Sequence, residues 1–286
     1  MEIFINGKKA DITLDNEKTL GNVLSGLDLY ISSTGSRIKE IYVDGKQIQS
    51  DELESVFEDN INDITKLEVI VNSWRDLATE ALEELHLVCR NFENASFQDR
   101  NKLCSEWEES AAGRFIYSDM VDLDKLLKNC FQGGYEISIG SLITIIEERL
   151  RELRDPIKEL LNSELLVNNV KERLEELPLD MQTGKDQRAA DTVQLFSQIG
   201  EKLFRIYFIY KSEGLPIDDF PVSEKKANTF IEDFKASLTE LSSAYANQDT
   251  VLAGDVAEYE LAPMLWSFFY SIKEFSNLYS SVICKS

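Results

Sequence analysis

The sequence predicts an α+β protein: a small sheet-rich N-terminal domain over residues 1–72, then a larger all-helical bundle over 73–286 containing one long heptad-patterned helix. Three observations carry this expectation. Apolar residues alternate with polar ones, or form short β-branched runs, through the first seventy positions. The period changes to about 3.6 at Ser73. From Leu142 to Leu177 apolar side chains then recur every three or four positions, a coiled-coil or bundle signal. With 286 residues, 43% hydrophobic and 10% aromatic, the chain has enough apolar material for one large core or two ordinary ones.

The elements follow in order. Met1 to Ile5 is a strand, and Asn6-Gly7 suits the positive φ angles of a type I′ hairpin. Ala10, Ile12 and Leu14 alternate with polar residues, predicting the return strand. Leu20, Val23, Leu24 and Leu27 share one helix face. Ile38 to Val43 is a β-branched run ending in Asp44-Gly45, a second hairpin signal, with Ile48 on the return. Asp51 to Glu58 holds one or two helical turns, and Leu67 to Val71 is a largely buried last strand. Hairpin, helix, strand, short turn and strand in this order resemble the β-grasp (ubiquitin-like) fold. Members that act as modifiers or sulfur carriers do so through a terminal Gly-Gly; here the last strand runs on into Val71-Asn72-Ser73-Trp74. The resemblance therefore implies recognition, not conjugation.

Ser73 and Asp76 form a capping-box-like helix start ahead of the stripe Trp74, Leu77, Ala78, Ala81, Leu82, Leu85, Val88 and Cys89. Ser96 and Asp99 repeat the pattern ahead of Leu103, Trp107 and Ala111. Met120 to Phe131 is a shorter helix, closed by Gln132-Gly133-Gly134. The heptad seam runs through Ile143, Ile146, Leu150, Leu153, Ile157, Leu160, Val167, Val170, Leu174 and Leu177, with Ser163 at the one polar position. Its register does not shift at Asp155-Pro156, which favours one helix kinked at the proline; two helices, with Asp155 as N-cap and Pro156 at the first helical position, are the alternative. Val193 to Tyr210 predicts a helix apolar nearly all round near 203–210, hence central. Ser223 offers a cap for a helix to about Asn247. A last helix begins near Gly254-Asp255 and runs through Leu261, Leu265, Phe268, Ile272, Phe275, Tyr279 and Val282. Its opening stretch, Asp255 to Pro263, resembles one in uncharacterised bacterial proteins and implies no activity.

Composition excludes several chemistries. Against 52 acidic residues stand 30 Lys and Arg, a net charge of −22, so nucleic-acid and anionic-membrane binding are not expected. The run Leu203 to Tyr210 is too short to span a bilayer. No basic-then-apolar leader is visible at Met1, and Cys89, Cys104, Cys130 and Cys284 are scattered without a CxxC, which predicts reduced thiols and a cytoplasmic setting. His86 is the single histidine, so two-histidine metal motifs are out of reach; with Cys89 it is at best a remote dyad. Gly133-Gly134 and Gly184-Lys185 belong to no phosphate-binding motif. The carboxylate pairs Glu147-Glu148, Glu175-Glu176, Asp218-Asp219 and Asp122 with Asp124 read as solvated helix faces. No catalytic, cofactor or metal site is expected.

What remains is recognition. Trp266, Phe269, Tyr270 and Leu278 leave the last helix little polar surface, giving two readings: burial within the bundle, or an interface with a partner. The expected function is a non-enzymatic adaptor or regulator that binds a protein with a basic surface, with homodimerisation through the seam or the last helix as a further expectation. Two alternatives are an acidic enzyme or small-ligand binder using carboxylates with Tyr207, Tyr210 or Tyr259, and a chaperone for an assembling or secreted partner.

Overall fold

The computed structural model describes residues 1–14, 17–33, 36–49, 52–133 and 137–283, without the side chains of 281–283. Asp51, Gly134, Cys284 and the Val282 side chain, all used above, lie outside the described residues. A small mixed sheet of five strands precedes a larger helical region. The chain divides into two compact units, residues 1–150 with 212–214, and residues 151–211 with 215–286.

In the first unit, β1 (Glu2–Ile5) and β2 (Lys8–Lys9) pair across Asn6 and Gly7, whose φ angles of 48° and 75° make the expected tight turn. The expected return strand through Ala10, Ile12 and Leu14 does not form; β2 is confined to Lys8–Lys9. The four-residue β1 leaves nothing for the chain to pair with after Ala10, whose N–H donates to the Ile3 carbonyl at 2.8 Å. Helix α1 (Leu20–Ser33) buries Leu20, Val23, Leu24, Leu27 and Ile31. β3 (Ser36–Val43) turns at Asp44-Gly45 into β4 (Lys46–Ile48), and the one-turn α2 (Leu53–Val56) and a 3₁₀ turn (Ile61–Asp63) lead into β5 (Lys66–Ser73). The sheet order is β2-β1-β5-β3-β4, with β1 and β5 parallel and the other pairs antiparallel. Asp44 fixes the corner by accepting from the Thr65 and Lys66 N–H groups at 3.0 and 2.7 Å. Ile3, Leu67 and Val69 meet the buried face of α1 in one aliphatic core.

Ser73 is both the last residue of β5 and the N-cap of α3 (Trp74–Asn94), with the capping box to Asp76 formed. The sheet therefore passes into the helices without a linker. Arg37 of β3 pairs with Asp119 at 2.8 Å, and the Trp74 indole N–H donates to the same carboxylate at 3.2 Å. Helices α4 (Phe97–Glu109), α5 (Ala111–Asp119) and α6 (Val121–Phe131) follow. Ser110 ends α4 and caps α5, and a Cβ at Gly113 would lie 2.0 Å from the Trp107 carbonyl oxygen, so this junction admits only glycine.

The predicted long helix is four segments: α7 (Ile139–Arg154), α8 (Pro156–Asn162), α9 (Glu164–Glu175) and α10 (Leu177–Gln182). The kinked-helix expectation is corrected at Asp155, which leaves helical geometry and caps the Lys158 N–H at 2.9 Å with Pro156 at the first helical position. The seam survives the breaks: Ile143, Ile146, Leu150, Leu153, Leu160, Val167, Val170, Leu174 and Leu177 are buried, and Ile157 half-buried.

Helix α11 (Asp186–Ser212), in the second unit through Lys211, precedes a short hairpin of β6 (Pro221–Val222) and β7 (Lys225–Lys226). Ser223 sits in that hairpin's turn at φ 48°, so it does not cap α12 (Ala227–Ala246), which begins after Lys226. The last helix starts earlier than predicted, as α13 (Thr250–Asp255) capped by Asp249, widens into a π turn (Val256–Leu261) and continues as α14 (Ala262–Ile283). Pro263, which has no N–H to return to residue 259, accounts for the widening. The core is aromatic: Phe204, Phe230, Phe234 and Phe268 interlock at centroid distances of 5.1 to 6.3 Å.

Candidate functional site

The carboxylates come first, because an enzyme would need two of them converging with unlike proton affinities. Three of the four sequence pairs are instead split among separate cations, and in the fourth Glu147 has cations of its own. Glu147 accepts from His86 at 3.0 Å and Arg90 at 3.1 Å; Asp122 pairs with Arg149 and Asp124 with Lys128. Glu175 pairs with Lys171, Glu176 with Arg188, Asp218 with Lys211 and Asp219 with Lys226. Among the described residues, no three His, Cys, Asp or Glu side chains are grouped so that they could hold a metal ion. Burial pushes the Cys89 thiol up to about 12, the opposite of activation, while its neighbour His86 is engaged by Glu147.

The three tyrosines of the small-ligand reading are not brought together. Tyr210 is buried, 2.8 Å from Ser276; Tyr259 is exposed; Tyr207 donates to Asp218. Burial drives the Tyr207 hydroxyl well above its usual range, and the Asp218 carboxylate beside it acts in the same direction. Tyr207 lines a cavity of about 10 Å³ with Ile217, Phe220 and Phe268, room for about one water molecule.

A surface cluster on α9 and α14 has different chemistry. Glu164, the first residue of α9, accepts from Tyr270 at 3.1 Å and takes Lys273 on both oxygens at 2.9 Å. The Lys273 hydrogen bond holds the Glu164 carboxyl below its usual range; partial burial opposes this, and Tyr270 reinforces it. The Lys273 ammonium also lies 5.4 Å from the Tyr270 ring centre. Trp266 stacks beside Tyr270 with centroids 4.4 Å apart.

Of the four sequence-predicted interface residues, Trp266 is 41% and Leu278 69% exposed, Tyr270 is half-buried, and Phe269 is wholly buried. Phe269 belongs to the inner face and is withdrawn from the surface set. Its ring meets that of Tyr270 edge-on at 5.3 Å, so it backs the exposed pair from inside. Sequence reasoning missed Leu161 and Leu165, exposed on α8 and α9, the latter at 84%. Being apolar outside the heptad stripe was their available signal. The partnership of Glu164 with Lys273 left no signal, because it joins positions 109 apart.

Two family models match parts of the chain. Residues 1–73 match the TP0873 N-terminal domain, ending on the residue that caps α3. Residues 158–268 match DUF8042, a domain of unknown function, a span holding Glu164 and Trp266. A curated relative, an "Uncharacterized protein" of Treponema pallidum (strain Nichols), is 23% identical over 170 residues, covering 53% of this chain and 84% of its own length. No solved structure matches.

Proposed function

We propose that the protein is a non-enzymatic adaptor or regulator that works by binding another protein, and that the α9–α14 surface is its docking face. The observation that carries this is the Trp266–Tyr270 pair, held in place from within by Phe269 and from the side by Glu164 and Lys273. A preordered aromatic pair suits a hot spot, since little side-chain entropy is left to lose on binding. The net charge of −22 supports a partner with a basic surface. No helix of the described residues is long and apolar enough to cross a membrane, and we place the protein in the cytoplasm on its scattered, free Cys89, Cys104 and Cys130. The N-terminal domain reads as β-grasp in this proposal, supported by the sheet order β2-β1-β5-β3-β4 with one helix packed across it.

Affinity capture from the native host tests the reading. The full chain retains a partner, and the Trp266→Ser, Leu278→Ser double variant loses it while keeping its far-ultraviolet circular dichroism. Capture of the same proteins by both would refute it. A second copy of this chain is the competing occupant; a monomer by light scattering at high micromolar concentration removes it.

A further inference from the structure

At one corner of the N-terminal sheet, the strands among the described residues leave part of an edge unpaired. β4 pairs with β3 only at Ile41, Tyr42 and Val43, although β3 starts at Ser36. On its other side β3 is paired with β5 along its length. Among the described residues no strand meets the outer edge of 36–40. A groove of about 430 Å³ is lined by this edge, by α1 and by Gln47–Gln49, a volume in the range of ligand sites. Ile38, Ile41, Ile48, Leu24, Leu53 and Phe57 supply its apolar lining.

The charges at this groove are one-sided. Both cations of the open edge are taken by internal partners, Lys39 by Glu80 at 2.8 Å and Arg37 by Asp119 at 2.8 Å. Asp28, on the α1 wall, has no ion pair among the described residues, and Glu40 receives only the neutral Tyr42 hydroxyl. The uncompensated charge is thus negative. The β3–β5 register also shifts between Ile38 and Glu40, leaving Lys39 as the extra residue of a bulge. A bulge of this kind bends an edge away from open-ended pairing, so the edge suits a short segment and disfavours another copy of the same sheet.

We infer that this groove takes an extended peptide segment of alternating apolar and basic residues, added as a short strand along Ile38–Glu40, with its basic side chain meeting Asp28 and Glu40. Main-chain hydrogen bonds then hold the peptide while the apolar lining and the two carboxylates select its side chains. The inference is independent of the α9–α14 face, which lies in the other unit and stands or falls separately.

The test uses the full chain with an acetylated, amidated pentapeptide in which valine alternates with lysine and arginine, followed by amide nuclear magnetic resonance and hydrogen exchange. Binding is expected to shift Ser25, Asp28, Ile38–Ile41 and Gln47–Gln49, and to slow exchange at residues 38–40. Asp28→Asn is expected to weaken it about fivefold or more, with the spectrum otherwise unchanged. Methylating the peptide's backbone nitrogens is expected to abolish it. Equal binding of the glutamate and aspartate counterpart, shifts confined to other residues, indifference to Asp28→Asn, or self-association through 38–40 without peptide would each overturn the inference. So would binding that survives backbone methylation, which would mark the groove as a pocket for amphiphilic amines.

Discussion

The two compact units are stabilised by different means. The N-terminal sheet and α1 close over an aliphatic core; in the same unit Glu147 meets its cations near the surface, while Asp124 and Arg149 are nearly buried and pair with the more exposed Lys128 and Asp122. The second unit packs phenylalanines both edge-on and stacked and buries its carboxylates more completely. Glu152 is fully buried and takes Arg205 on both oxygens at 2.7 and 2.8 Å, while Lys202 reaches Glu159 at 2.8 Å. Arg205 and Lys202 sit on the helix predicted to be apolar nearly all round, and these two cations are largely covered by fixed partners. A paired buried charge adds little net stability over an apolar core but penalises any arrangement that leaves it unpaired. The second unit therefore holds the most completely buried carboxylates, Glu152 and Asp180, and its packing depends most on ionic register.

The largest expected effect tests that contrast. Glu152→Ala removes the fully buried carboxylate that takes Arg205 on both oxygens and should lower unfolding stability by about 3 kcal/mol in urea denaturation. Glu147→Ala in the first unit should leave the midpoint within error, because its partners His86 and Arg90 stay solvated. Similar losses for the two would erase the distinction.

A smaller effect is expected at Ser73, where strand becomes helix. Ser73→Ala removes the acceptor for the Asp76 N–H and should cost about 0.5–2 kcal/mol. Faster amide exchange should then appear at the start of α3 and the end of β5 together. Exchange confined to α3 would mean that the junction does not couple the two.

The smallest effect is a pH response on α14. Glu164 has a folded-state proton affinity below its usual value, so its pairing stabilises the fold above the ordinary carboxylate range and is lost as pH falls through the depressed value. Fluorescence of Trp266, isolated by Trp74→Phe and Trp107→Phe, should change in that acid window and stay flat in Glu164→Gln. A change centred near neutrality would exclude Glu164 as its origin.

Local chemistry was legible in the sequence, and distant pairing was not. Asn6-Gly7, Asp44-Gly45 and the Ser73–Asp76 box each act within a few residues, and each formed as read. The seam was read correctly as a buried stripe and wrongly as a helix bent through Pro156, because periodicity reports which face is inside and not whether the backbone continues. The early end of β2 depended on its partner strand, which no pattern within 8–14 encodes. At the candidate site, aromatic content pointed to Trp266 and Tyr270 but could not separate them from Phe269. That separation depends on which face α9 covers, set by Glu164 more than a hundred residues away.

The central claim, a recognition role exercised through the α9–α14 face, is tested most directly by calorimetric titration of the partner captured by the full chain. Trp266→Ser is predicted to weaken the partner's affinity tenfold or more, in line with an aromatic hot spot of about 2 kcal/mol. Salt is predicted to weaken binding to the unaltered protein. An unchanged affinity in Trp266→Ser would contradict the account.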